Sequence, residues 1–392
     1  MSWSADDPDW PLHFSRFLGA WQRSSDHQAG AKGAGIAIVH PDTGWTPHPE
    51  LTSATTYLGS NNPLSVNHMR RERAEGRTAE DRLAALPAIE FPGHGTATAS
   101  TMSSPWGHPD ADAGEAYNGA WDEYVCGAAP EAVVLPQRVT NTVLLASDVG
   151  GWDMLPALAS AVRAATQITH PDGLWEVGVI SISLGTDHRA VRTRNMDRAL
   201  QQARRAGIVV CAAAGQGPAS TLLGPAYPGR SDHTICAAAC DADGNMLGNG
   251  YYGPQVDVAA PGVGVAAARA RRIATYTVEP TEGSSYAAAM LASACAIWQS
   301  HFTRSALLGQ YGPAFLLDAF KVAVADTCDT RGGTWNTEPA QPGRWRDTTI
   351  LPWNSDGPPG HGKGALDVDA LLDGLPSVNR VMAHAAATGW TG

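Results

Sequence analysis

Residues 36–45 read Ile36-Ala37-Ile38-Val39-His40-Pro41-Asp42-Thr43-Gly44-Trp45. The opening apolar run has no polar alternation, the pattern of a strand covered on both faces and so of a parallel sheet. A carboxylate just beyond such a strand is held rigidly by the sheet, as required of a group that orients a histidine. Standing alone, Asp-Thr-Gly reads as a turn capped by Asp42. Outward along the chain, residues 132–135, 177–182 and 208–211 repeat the short apolar run. Helical spacing fills the intervals: over 152–168, Leu155, Leu158, Ala159, Val162 and Ala165 share a face, and a second helix over 188–206 ends at Gly207. Strands alternating with amphipathic helices predict βαβ units and the α/β class, with a central, mostly parallel sheet flanked by helices.

The chain has 392 residues, 43% of them apolar, enough for a sizeable core. A formal net charge of -11 argues against nucleic acid as a partner, because neutralising phosphates needs a basic face. The arginines of Met69-Arg70-Arg71-Glu72-Arg73 are interleaved with acid and read as a solvated segment. No apolar run is long enough for a membrane span, and the N-terminus shows neither a basic nor an apolar signal region, so a cytoplasmic location is expected. Cys211, Cys236, Cys240 and Cys295 lie in apolar stretches as small hydrophobes, and no CxxC pair suggests a zinc or redox site. The thirteen tryptophans read as core and rim fillers.

Residues 1–32 are polar and without clear periodicity, an N-terminal extension packed on the domain or partly loose. One catalytic domain is expected over 33–375. It carries a Gly/Pro/Trp-rich excursion over about 327–364, then a last helix over 367–375, and a tail over 376–392 follows.

Two further motifs carry chemistry. Gly93-His94-Gly95-Thr96-Ala97-Thr98-Ala99-Ser100 places a histidine between glycines at the start of a small-residue helix, where backbone and substrate can approach the imidazole. Histidine is the side chain best suited to general-base work near neutral pH. Gly283-Ser284-Ser285-Tyr286-Ala287-Ala288-Ala289-Met290 leads into an apolar run, so Ser285 is expected at the N-terminus of a buried helix. The helix dipole and free N–H groups there suit an attacking oxygen and a developing oxyanion, while Ser284 is expected as the N-cap.

Together these blocks resemble the Asp-Thr-Gly, His-Gly-Thr and Gly-Thr-Ser-x-Ala-x-Pro motifs of the subtilisin-like serine peptidases. Further matches are Cys126-Gly127-Ala128-Ala129-Pro130, Ser183-Leu184-Gly185, Val256-Asp257-Val258-Ala259-Ala260-Pro261-Gly262 and Gly362-Lys363-Gly364-Ala365-Leu366-Asp367, so the resemblance covers residues 33–375. It implies a subtilisin-like three-layer fold and a triad of Asp42, His94 and Ser285. It also implies a peptide strand laid beside Ser183, Leu184, Gly185 and Ala213, Ala214, Gly215. Calcium sites are common in the family but none carries over residue by residue, and no cofactor or metal ligand is expected. Gln216 stands where the family has an oxyanion asparagine, a donor kept but one methylene longer. Ala289 replaces the helix proline and Ser284 a threonine. Asp241-Ala242-Asp243-Gly244-Asn245 resembles the start of a calcium loop but lacks its closing glutamate, so a plain turn is expected.

The function expected is that of a serine endopeptidase acting on a peptide or protein substrate through an acyl-enzyme. Two alternatives stay open: a peptide ligase, macrocyclase or precursor-processing protease using the same intermediate, and a catalytically silent peptide-binding module. Oligomeric state and substrate sequence are not legible.

Overall fold

The computed structural model describes residues 7–23, 32–46, 48–51, 66–70, 74, 93–104, 127–143, 154–186, 193–217, 224–272, 275–329 and 362–392. Cys126, Arg71 to Arg73 and most of the Gly/Pro/Trp-rich stretch lie outside them.

Strands β1 (Ile36–Asp42), β2 (Val66–Asn67), β3 (Val133–Arg138), β4 (Glu176–Ile182), β5 (Val209–Ala213), β6 (Ile235–Cys240) and β7 (Val258–Pro261) form one parallel sheet in the order β2-β3-β1-β4-β5-β6-β7. The apolar runs read from the sequence are the interior of this sheet. Each strand sends alternate side chains to opposite faces. Ile38, Val179, Val209 and Cys211 enter one core, and Val39, Ile180, Val210 and Ala212 the other. The second face is covered by helices Met154–Ala165 and Arg194–Arg205, through Leu158, Val162, Ala199 and Leu200. The first is covered by His94–Ser103, Ser284–His301 and Leu316–Thr327, through Ala97, Met102, Leu291, Trp298 and Phe320. The result is the expected three-layer α/β arrangement.

Every residue of His94–Ser103 is buried. A helix surrounded by protein must satisfy its hydroxyls internally. Ser100 Oγ donates to the Ala97 carbonyl at 2.7 Å and Thr101 Oγ1 to that of Thr98 at 2.9 Å. Beyond β7, strands β8 (Val263–Arg272) and β9 (Thr275–Glu282) form an antiparallel hairpin that lies on this helix, Ala268 N–H donating to Ser100 Oγ at 2.9 Å. β9 runs directly into the Ser284–His301 helix.

The chain ends are more structured than their composition suggests. Helices Trp10–Phe14 and Phe17–Arg23 bury Trp10, Phe17 and Ala20 in the first core, and Arg16 pairs with Asp367 at 2.8 Å. The helix expected over 367–375 is only Val368–Leu371, and a further helix, Val378–Ala387, forms inside the segment read as a tail. That helix brings His384 Nδ1 to 3.0 Å from Asp318 Oδ1, while Asp318 Oδ2 accepts from buried Arg204 at 2.7 Å. Trp390 covers the Arg204 guanidinium at 4.1 Å. Among the described residues no helix is long and apolar enough to cross a membrane.

Candidate active site

β1 is flanked by β3 on one side and β4 on the other, so the strand order reverses at β1. In an open parallel sheet the crevice beyond the carboxyl end of such a strand is where ligands are held. The last residue of β1 is Asp42, fully buried. Its Oδ1 accepts from the Thr43 N–H at 2.7 Å and from His94 Nδ1–H at 2.8 Å. His94 opens its helix directly after Gly93, whose φ of 80° only glycine adopts without strain. Gly95 gives the close backbone approach expected of it: a methyl there would run into the Gly44 carbonyl and reach 3.2 Å from Asp42 Cβ, so this glycine admits the Asp42 loop beside His94. Thr43 Oγ1 closes the contact by accepting the Gly95 N–H at 3.0 Å, and buried Arg138 on β3 donates to the Thr43 carbonyl.

Burial pushes the Asp42 carboxyl up, but the charge and hydrogen bond of His94, the nearby His40 and the Thr43 N–H outweigh it and hold it below the usual carboxylate value. Asp42 is therefore an anion that fixes the tautomer of His94, leaving Nε2 as the basic nitrogen.

Ser285 lies in the first turn of its helix and is partly exposed, between the buried Ser284 and Tyr286. The Tyr286 ring faces that of His94 at 6.4 Å. The Ser285 hydroxyl donates to the Ser183 carbonyl at 3.0 Å. Its proton is thus committed to the end of β4 rather than to the imidazole, and rotation about Cα–Cβ is the step that would redirect it. Ser284 is not the N-cap. That place belongs to Gly283, and the Ser284 hydroxyl instead accepts the Gly215 N–H at 2.9 Å.

Gln216 reaches the same helix end. Its Oε1 accepts the Ser284 N–H at 2.9 Å. Because an N–H faces that atom it must be the oxygen. The extra methylene relative to asparagine is taken up by this anchor.

Of the six residues expected to flank a substrate, Ser183, Leu184, Ala213 and Ala214 are buried, while Gly185 and Gly215 are partly exposed. A Cβ on either glycine would lie 2.8 Å from Ala226 Cβ, so the two segments converge on Ala226. The 213–215 segment is not an open edge. Ala214 N–H goes to the Ala237 carbonyl at 2.8 Å and Gly215 N–H to Ser284 Oγ, while the Ala214 carbonyl accepts from Ala226 at 2.7 Å. It could meet a peptide through carbonyl lone pairs and shape, not through N–H donors. The Asp241 loop is a turn: Asp241 Oδ1 accepts from the N–H of Asp243 and of Asn245.

The sequence profile of the subtilase family matches residues 32–310. The chain is a subtilase. This subtilase is 25% identical over 241 residues to the thermostable alkaline protease of Halalkalibacterium halodurans, covering 61% of the chain and 51% of that protein. It is 27% identical over 254 residues to serine protease AprX of Bacillus subtilis, covering 60% and 48%. The chain thus spans about half the length of these relatives. Among solved structures, a protease of Pseudoalteromonas arctica superposes with a TM-score of 0.64 at 18% identity, covering 93% of this chain and 96% of that one. MycP1 with its N-terminal propeptide removed superposes at 0.59 and 18%, covering 95% and 99%. At such identity these likenesses establish the fold. The residues whose contacts reading by motif missed are His40, Thr43, Arg138 and Tyr286; His40, Thr43 and Tyr286 lie inside the quoted blocks and Arg138 outside them. His40 alone carried a signal, as a polar side chain inside an apolar strand.

Proposed function

We propose that the protein is a serine endopeptidase in which His94 deprotonates Ser285, Asp42 orients His94, and water resolves the acyl-enzyme. The reading rests on one observation above all: a buried Asp42–His94 hydrogen bond of 2.8 Å beyond the reversal strand, beside a helix whose first turn holds Ser285. In the attacking state the Ser285 hydroxyl turns from the Ser183 carbonyl to His94 Nε2. Its oxygen adds to the scissile carbonyl, and His94 later returns the proton to the leaving amine. The developing oxyanion lies near the first-turn N–H groups and the Gln216 Nε2 donors, where charge is stabilised without reorganisation. Electrostatics supports this division of labour, since Asp42 remains ionised beside an imidazole that gains a proton in the transition state.

A fluorophosphonate probe followed by peptide mapping tests the reading. An adduct is expected on Ser285 of the folded protein, absent in Ser285→Ala, whose peptide turnover falls by on the order of 10⁵-fold or more. Folded protein that forms no adduct and cleaves no peptide would overturn it.

A further inference from the structure

His40 is fully buried in β1, two residues before Asp42, in a strand otherwise built of apolar and backbone-compatible side chains. A buried imidazole with no task is costly, because both ring nitrogens need partners. Here both have them, on two different elements. Nδ1 lies 3.3 Å from the Ser181 carbonyl on β4, and Nε2 lies 2.8 Å from Thr98 Oγ1 on the His94 helix. Nδ1 faces a carbonyl that only accepts, and Nε2 faces a hydroxyl that is itself placed to donate to the His94 and Gly95 carbonyls, the Gly95 carbonyl lying against the ring as well. Thr98 sits one turn beyond His94, and its oxygen is also 2.9 Å from the His94 carbonyl. The ring is thus a strut joining β1, β4 and the first turn of the histidine helix.

The same nitrogen is 3.9 Å from Asp42 Oδ2. That oxygen is buried without a hydrogen-bond partner, both donors of the carboxylate being on Oδ1. His40 therefore walls the free side of the carboxylate. The charged or titratable groups facing it are Asp42 on its own strand and His94 on the helix; β4 presents the Ser181 carbonyl. Burial holds its pKa below the usual histidine value, against the pull of Asp42 and the Ser181 carbonyl, so the ring is neutral near pH 7.

We infer that His40 is a positioning residue for the Asp42–His94 couple, fixing through Thr98 and by its own bulk the carboxylate orientation and the helix turn that carries the base. The inference deepens, and rests on, the catalytic reading of Asp42, His94 and Ser285. Without the strut, Thr98 would keep only the carbonyls of His94 and Gly95, and the carboxylate could swing its unpaired oxygen toward the space left. Catalytic geometry displaced by a fraction of an ångström costs turnover rather than binding.

The test combines kinetics with histidine ¹⁵N and ¹H NMR. Wild type should show a neutral His40 ring at pH 7; an imidazolium there would overturn the inference without any variant. His40→Phe keeps ring bulk, and Thr98→Val removes only the hydroxyl. Each is expected to lower kcat about tenfold with KM little changed, and to shift the His94 Nδ1–H resonance. His40→Gln, which restores a polar partner toward Thr98, should recover most of the loss. Folded variants with wild-type kcat and an unmoved His94 signal, or variants altered only in melting temperature, would overturn it. A wild type that cleaves no peptide removes the peptidase reading instead, while the NMR measurements still decide whether His40 holds the Asp42–His94 pair.

Discussion

Ser183 and Ser285 grip each other twice: Ser183 Oγ donates to the Ser285 carbonyl at 2.9 Å, and Ser285 Oγ donates to the Ser183 carbonyl at 3.0 Å. The pair joins the end of β4 to the first turn of the Ser284–His301 helix. Ser183→Ala removes the first bond and leaves the Ser183 carbonyl in place. A net hydrogen bond contributes about 1 kcal/mol, so kcat per titrated active site should fall about fivefold while the melting temperature moves little. Unchanged kcat would mean that the clasp does not position the serine.

Gln216 is anchored on the Ser284 N–H through Oε1, and the proposed oxyanion role falls to its Nε2. Gln216→Ala removes both and should cost about 10²–10³ in kcat. Gln216→Asn keeps an amide on a shorter arm and should fall between. Equal kcat for all three proteins would remove Gln216 from the oxyanion site. Steady-state kinetics on a peptide substrate measures the series.

Gly95→Ala places a methyl against the Gly44 carbonyl and close to Asp42. The loop must retreat, and the Asp42–His94 bond lengthens with it. A fall in kcat of about 10²-fold is expected, together with a lower melting temperature from overpacking by about 1–3 kcal/mol. Wild-type values for both would show that the loop yields without disturbing the pair.

His48 makes stability depend on pH. Its Nδ1 accepts the Glu50 N–H at 3.1 Å and its Nε2 lies 3.3 Å from the Thr277 carbonyl, so both nitrogens are matched to the neutral ring. Burial pushes its pKa down from 6.5 to about 4. Between these values the unfolded chain takes up a proton that the folded one refuses. Stability from this group is full above pH 6.5 and declines as pH falls toward 4, by roughly 3 kcal/mol in all. Urea midpoints at pH 4 to 7 should show this slope in wild type and a shallower one in His48→Gln. Identical slopes would assign the acid sensitivity elsewhere.

The strands that reading found are those rich in β-branched residues: Ile36–Asp42 and Glu176–Ile182 contain a predicted run, and Val133–Arg138 and Val209–Ala213 each begin one residue inside theirs. β6 and β7 went unread because Ile-Cys-Ala-Ala-Ala-Cys and Val-Ala-Ala-Pro each hold a single β-branched residue among alanines, and their strand state comes from pairing with β5 and with each other. The terminal helices were missed for a related reason. Trp10, Phe17, Val381 and Trp390 are spaced too sparsely to show periodicity, and they are ordered by the surfaces that receive them.

Local chemistry decided the identity of the reactive groups. A carboxylate after an apolar strand, a histidine among glycines and a serine before an apolar run each follow from short-range spacing, because strand ends and helix starts are local events. Tertiary structure alone decided which contacts those groups make. That Gln216 is anchored on Ser284, that Ser285 rests on Ser183, and that His40 stands behind Asp42 depends on segments brought together by the sheet order, and no spacing along a chain encodes a distance between elements far apart in it.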